Sequence, residues 1–409
     1  MGSNIITVSS LALCYVAYSP LDLQSANSIQ TFHTLRELSK QLGERLDVIV
    51  PRFGNEAPPP FSTTRLARIP LNKLSRLYTS AWYSYIERSL YAQRAVRKIR
   101  ARSPDLIYTR DIVCAYRFVQ AQLPVLYEVH DLESQHPGQT KSARLQNWVA
   151  RADETALRGA RGIVSLTETF RQEIIARGWQ PAPRVFVIPD AYDDAIYFPR
   201  DKMQARRALH LPLDAQIVTY VGMTFKYRGL DVLLRAFQEW NAPQAQLVLV
   251  GGRDFEVQEL KATAHEWGVA ERVQFVERQT ARPEHREGSN VIAQYLAAAD
   301  ALVIPDTVTD ATASPLKMFE YMAMARPIVC VERASLREIL GDDALYFPRG
   351  DVAALARALQ DAMRPGSQHV AERARERVAD FTYTKRAKKI VRAAESVVTN
   401  SFVPRAPNE

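Results

Sequence analysis

The densest chemistry in the chain lies in Asp310-Ala311-Thr312-Ala313-Ser314-Pro315-Leu316-Lys317-Met318-Phe319-Glu320. A serine followed by a proline signals a helix start, because the hydroxyl caps the end and the ring presets φ at the first helical position. The first-turn N–H groups, those of Leu316 and Lys317 among them, then lack intrahelical partners and suit an anion. The Lys317 side chain adds a positive charge. Glu320 follows at i+3 on the same face, where a carboxylate can accept two hydrogen bonds from a ribose diol. An ordinary capped amphipathic helix with a surface Lys–Glu pair explains the same residues, so the pattern alone leaves both readings open.

Other candidates share one kind of place, just past a short apolar run. Gly222 to Gly229 follows Ile217–Val221 and carries Lys226 and Arg228. An arginine fork there can grip two phosphate oxygens at once, although a simple turn fits as well. Gly251-Gly252 closes Leu247–Val250 and permits close approach of a ligand or of backbone. Arg278 follows Val273–Val276. In the first half, Arg110, His130 and Asp190 end comparable runs, and Ser25 and Asn27 lie in the loop after the first one. Asn27 is the predicted cap of the helix that follows. A structural ion pair or a surface histidine is the plain alternative for each of these side chains.

The elements that must hold these residues are short buried strands alternating with helices. Ala12–Tyr18, Leu46–Val50, Leu106–Tyr108, Val125–Tyr127, Ile163–Ser165 and Val185–Ile188 form one set. Ile217–Val221, Leu247–Val250, Val273–Val276, Ala301–Ile304 and Ile328–Val331 form a second. Strand–helix alternation predicts parallel sheets, and open α/β sheets bind ligands past the carboxyl ends of their strands. The expected fold is α/β, two Rossmann-like domains facing a cleft. Residues 1–200 form the first and 201–383 the second, with a helix at 384–398 packing back on the first.

The 409 residues are too many for one ordinary core. Three scattered cysteines, Cys14, Cys114 and Cys330, give neither a disulfide framework nor zinc-ligand spacing. The start lacks a basic n-region and no 18 apolar residues run together, so a cytoplasmic protein is expected. The formal charge is +8, and residues 61–102 hold ten Lys and Arg against one Glu, a net of +9. Such a patch predicts an anionic partner. A helix from about Ser75 to Arg100 bears Tyr78, Trp82, Tyr85 and Tyr91 at near-helical spacing. It reads either as a face for anionic lipid or as a solvated helix with its aromatics in the core. No recognition motif supports nucleic-acid binding.

The 310–329 segment resembles the signature of the large retaining glycosyltransferase family 4, in a Ser-Pro-Leu-Lys variant of its two-glutamate motif. The resemblance covers most of residues 12–396 and is strongest at 301–331. It implies a GT-B fold and transfer of a sugar from a nucleoside-diphosphate sugar to an acceptor hydroxyl, with retained anomeric configuration. Glu320 matches the second glutamate and would bind the ribose, with the N–H groups of Leu316 and Lys317, after Pro315, on the distal phosphate. Thr312 stands where the first glutamate is expected. Arg228 matches the basic residue before the last glycine of the Gly222 loop, while Met223 replaces a frequent second one. Gly251 and Arg278 fall in donor-binding regions, and Glu277 replaces the usual glycine there.

By the same resemblance His130 would contact the transferring sugar. His130, Arg228 and Lys317 would form the catalytic group, and Ser25, Asn27, Arg110, His130, Asp190 and Thr312 the sugar or acceptor pocket. No cofactor and no metal is expected. The acceptor would be a hydroxyl, lipid-linked in many members, which would place the protein at the inner face of a membrane. A nucleotide-sugar epimerase and a non-catalytic membrane or polyanion scaffold of the same fold are the rivals. Nicotinamide chemistry fares worse, because no Gly-x-Gly-x-x-Gly follows the first strand.

Overall fold

Runs such as Leu13-Cys14-Tyr15-Val16 and Leu106-Ile107-Tyr108-Thr109 are buried along their whole length, as strands covered on both faces must be. The computed structural model describes residues 11–23, 25–54, 58–69, 82–135, 141–279, 291–307 and 309–399. The chain divides into two units, Met1–Pro189 with Tyr383–Glu409, and Asp190–Thr382.

The first unit holds β1 (Leu13–Val16), β2 (Leu46–Pro51), β3 (Thr64–Leu66), β4 (Leu106–Thr109), β5 (Val125–Val129), β6 (Gly162–Ser165) and β7 (Val185–Val187). They pair in the order β3-β2-β1-β4-β5-β6-β7, every pair parallel. The second unit holds β8 (Gln216–Val221), β9 (Ala245–Val250), β10 (Val273–Val276), β11 (Ala301–Ile304), β12 (Ile328–Val331) and β13 (Leu345–Phe347). Their order is β10-β9-β8-β11-β12-β13, again all parallel. Each sheet reverses its strand order once, between β1 and β4 and between β8 and β11. Those switch points are where adjacent loops part and leave room for a ligand.

The helix Leu230–Trp240 follows β8 and buries Leu230, Leu233, Leu234 and Phe237, an i, i+3, i+4, i+7 face. The helix Tyr383–Thr399 belongs to the first unit. Its Tyr383 ring stacks on His33 with centroids 4.9 Å apart, and Thr384 Oγ1 donates to Glu37 Oε2 at 3.1 Å.

The basic segment differs from its aromatic-face reading. Its helix is described from Trp82 to Arg102; Tyr78 and residues 70–81 lie outside the described residues. Tyr85 and Tyr91 are buried. Tyr91 Oη donates to the carbonyls of Ala17 and Ile49 at 2.9 and 3.1 Å, and Trp82 and Tyr85 pack around Trp148. Arg68, Arg88 and Arg102 pair with Glu87, Asp111 and Asp47. Tyr85 and Tyr91 are core, with Tyr91 Oη on buried carbonyls and Tyr85 Oη donating to Glu133 at 2.7 Å, while Trp82 is half-buried. Among the described residues no helix is long and apolar enough to cross a membrane.

Two expected caps are corrected. Ser25, not Asn27, caps the helix Ala26–Leu42, in a reciprocal box with Ser28, since Ser25 sits one residue before the helix with extended backbone. The helix Leu316–Ala323 has Pro315, not Ser314, at its cap position and no side-chain cap. Ser314 Oγ instead accepts the N–H of Asp190 at 3.2 Å.

Candidate functional site

In the second unit the groups past β8, β9 and β11 converge through glycines. Gly222 has φ 146°, and a Cβ there would sit 2.6 Å from Lys317 Nζ. A Cβ on Gly251, φ 109°, would sit 2.6 Å from the Gly222 carbonyl oxygen. Only residues without side chains let the two loops touch and let Lys317 lie against the β8 loop. The Lys317 ammonium also lies 3.8 Å from the centroid of the Tyr220 ring, whose negative face attracts it.

Arg228 ends a short 3-10 turn, Lys226–Arg228, and Gly229 takes the left-handed conformation, φ 67°, that opens the next helix. The Arg228 Nε is buried and has no hydrogen-bond partner among the described residues. Burial, and after it the Arg228 charge, drive the Lys317 ammonium well below the usual lysine range, while Glu320 acts in the opposite direction. Burial pushes the Glu320 carboxyl up to about 7, against a hydrogen bond with Tyr197 and the Lys317 charge. Lys317 lies in the first turn of Leu316–Ala323, whose N-terminus has no side-chain cap, and the Arg228 charge acts on it. An anion placed there would gain charge-assisted hydrogen bonds and relieve the like-charge repulsion. Among the described residues no three His, Cys, Asp or Glu gather as a metal site.

The expected donor residue Arg278 and the expected pocket residues Thr312 and Asp190 have other surroundings. Arg278 is exposed beyond β10. Thr312 is buried, its hydroxyl 2.5 Å from Thr309 Oγ1. Asp190 is buried at the start of the second unit, its backbone held by Ser314.

In the first unit a cavity of about 180 Å³ opens at the ends of β1, β4 and β5, with Asn27, Arg110, Asp111, His130, Asp131 and Glu133 in its wall. Ser25 is spent on capping and lies outside that wall. His130 Nδ1 is 3.1 Å from an Arg110 Nη. Arginine only donates, so Nδ1 accepts and the imidazole proton resides on Nε2. That proton goes to Glu128 Oε1 at 2.5 Å; Gln30 Nε2, 3.3 Å from the same ring nitrogen, donates to the carboxylate instead. Glu128, 1% exposed within β5, also accepts from Gln30 Nε2 at 3.1 Å, from Tyr108 Oη and from Arg386 Nη2 at 2.7 Å. Burial alone would raise its carboxyl, but Arg386, His130 and Arg110 together hold it well below the usual range. The sequence reading missed this role for Glu128 and Arg386. A signal was present: Glu128 and His130 are i and i+2 at a strand end, hence on one side of it, and a charge inside an apolar strand needs a partner.

Two domain families describe the chain. Residues 29–191 match the glycosyl transferase 4-like domain and residues 215–364 match glycosyl transferases group 1. The chain belongs to the glycosyltransferases. This glycosyltransferase is 26% identical to the 2-deoxystreptamine N-acetyl-D-glucosaminyltransferase of Streptomyces fradiae, over 87% of each chain. It is 29% identical to the D-inositol 3-phosphate glycosyltransferase of Acidothermus cellulolyticus over 48% of its own length, and it spans only 44% of that protein. Anabaena HepE in complex with UDP-glucose superposes with a TM-score of 0.71 and 18% identity, covering 94% of this chain and 100% of that one. That likeness carries the fold, GT-B, in which two parallel α/β units each have a switch point.

Proposed function

We propose that this glycosyltransferase moves a sugar from a nucleoside-diphosphate sugar to an acceptor hydroxyl, with retention at the anomeric carbon. The observation that carries the reading is Lys317 in the first turn of a helix with no side-chain cap, set against Tyr220 and Gly222 and under the charge of Arg228, with Glu320 three residues further on. The pair and the helix end fit a diphosphate, and Glu320 fits the ribose diol beside it. That HepE was solved with UDP-glucose supports this donor class.

In the proposed step the bond between the anomeric carbon and the phosphate oxygen breaks while the acceptor oxygen bonds to the same face. The acceptor proton passes to the departing phosphate. Arg228, Lys317 and the helix dipole stabilise the charge that develops there. His130 holds its one proton toward Glu128 and receives Arg110, so it orients the sugar rather than taking a proton. The polar cavity around Asn27, Arg110 and His130 is the acceptor side. No metal enters this scheme. The membrane-surface reading of the basic segment loses the support of Tyr85 and Tyr91, which are core.

The test is release of nucleoside diphosphate from uridine, guanosine and adenosine diphosphate sugars, with and without pooled sugar, cyclitol and lipid-linked acceptors. The reading predicts release that depends on acceptor and a product of retained configuration by proton NMR. Conversion of donor alone to an epimer would replace it with the epimerase reading. No turnover of any donor would favour the scaffold.

A further inference from the structure

Glu128 is a carboxylate 1% exposed inside a strand, and among the described residues its side chain meets one cation at salt-bridge distance besides the histidine: Arg386, 258 positions away in sequence. Arg386 is itself 3% exposed, and its place is fixed on three sides. Its Nε donates to the Pro189 carbonyl at 3.0 Å, Nη1 to Thr34 Oγ1 at 3.1 Å and Nη2 to Glu128 Oε2 at 2.7 Å. The other carboxylate oxygen receives the His130 Nε2 proton. One carboxylate thus stands between a permanent cation and a titratable one.

We propose that Arg386, carried by the helix Tyr383–Thr399, is a positioning residue that keeps His130 neutral and in its Nε2–H form by neutralising Glu128. A buried carboxylate without a counter-charge recruits a proton or a cation from its nearest neighbour. With Arg386 present, the carboxylate charge is met and His130 has only to donate one hydrogen bond. His130 Nδ1 then stays an acceptor and can hold Arg110 at 3.1 Å. Remove the Arg386 charge and the nearest group able to supply one is His130. Protonation at Nδ1 turns an acceptor into a donor facing a guanidinium, so Arg110 is expelled.

Every element around the imidazole bears on this balance. Gln30 comes from the helix after β1, Tyr15 from β1, Tyr108 and Arg110 from β4 and its end, and Glu128 from β5. The cavity on the open side adds Asp131, Glu133 and the Arg88–Asp111 pair. Among these described groups Arg386 and Arg110 are the cations nearest Glu128, and Arg110 is engaged on the far nitrogen of the ring. The helix that contains Arg386 therefore does more than pack: it completes the charge balance of the acceptor side. The bearing of this on transfer rests on the reading of His130 proposed above; the protonation state itself does not.

The test is ¹⁵N NMR of histidine-labelled full-length protein, with His130 assigned by its loss in His130→Gln. The parent is expected to show, at pH 7, one protonated and one unprotonated ring nitrogen. Arg386→Gln keeps hydrogen-bond donors while removing the charge, and it is expected to give the doubly protonated imidazolium and to retain it to a pH at least about one unit higher, a tenfold change in proton affinity. Arg386→Lys should restore the neutral ring. In Glu128→Gln/Arg386→Gln the ring should be neutral again, because the buried negative charge is gone; this variant also serves if the single change does not fold. A neutral His130 in folded Arg386→Gln, or an imidazolium in the double variant, would overturn the proposal. If no donor is ever turned over while these NMR results hold, the proposed function fails and the Arg386 inference stands.

Discussion

Replacing Arg228 by alanine separates a ligand-binding arginine from a structural one. Its Nε is buried with no hydrogen-bond partner among the described residues, and its charge disfavours the Lys317 ammonium. The native state therefore gains little from Arg228, and its removal relieves a like-charge contact. The diphosphate complex, in contrast, would lose a guanidinium fork. Charge-assisted hydrogen bonds contribute about 2–3 kcal/mol when removed from a partly desolvated site, which corresponds to roughly 30- to 150-fold weaker binding. Calorimetric titration of the preferred nucleoside diphosphate into parent and Arg228→Ala measures this, alongside melting without ligand. The expected pair of results is a large loss of affinity and an unliganded melting midpoint that is unchanged or slightly higher. Unchanged affinity would refute the assignment. So would a melting point lowered by about 5 °C or more, which would show that Arg228 holds the fold.

The raised Glu320 carboxyl predicts pH-dependent donor binding. The ionised form accepts the ribose hydroxyls, so affinity should rise with pH through about 7, and Glu320→Gln should flatten the profile when titrated between pH 5.5 and 8.5. The same raised value means that the unliganded fold prefers the protonated acid, a contribution present at low pH and lost as pH rises through about 7. Glu320→Gln should therefore stabilise the unliganded protein more at pH 8 than at pH 5 in thermal melts. Gly251→Ala places a Cβ against the Gly222 carbonyl in a left-handed conformation. It should lower the unfolding free energy in urea by at least about 2 kcal/mol; a loss under 0.5 kcal/mol (about the scatter of a neutral surface change) would show that the two loops can part freely. All three thiols are buried, and burial, then Asp47, raises Cys14 to about 12. A thiol reagent at pH 8 should label none of them in the native protein and three after denaturation.

Where strands were buried on both faces, their apolar runs showed them, as in Leu106–Thr109 and Ile328–Val331. β3 escaped because its three half-exposed residues, Thr64-Arg65-Leu66, hold one apolar side chain, so neither a continuous nor an alternating pattern develops. The residues proposed as the donor side stand out in the sequence because they are local: Pro315, Lys317 and Glu320 lie within two turns, and Arg228 sits between glycines. Cap identity was less so. Ser25 and Asn27 are equally good capping types, and a shift of two residues in the helix start decides between them. Ser314 lost its expected role to Asp190, a partner 124 positions away. The Glu128–Arg386 pair was hidden for the same reason, since tertiary partners of buried charges leave no spacing to read. The aromatics of the basic segment had helical periodicity under both readings, and only their neighbours distinguish core from surface.

The central claim, that Arg228, Lys317 and Glu320 form a nucleoside-diphosphate site, is tested most directly by calorimetric titration of UDP, GDP and ADP into the unmodified protein. The account predicts one binding event per chain for at least one of them, with an affinity between about 1 μM and 1 mM, abolished in Arg228→Ala/Lys317→Ala. Absence of binding by all three at millimolar concentration, or binding that survives the double substitution, would contradict it.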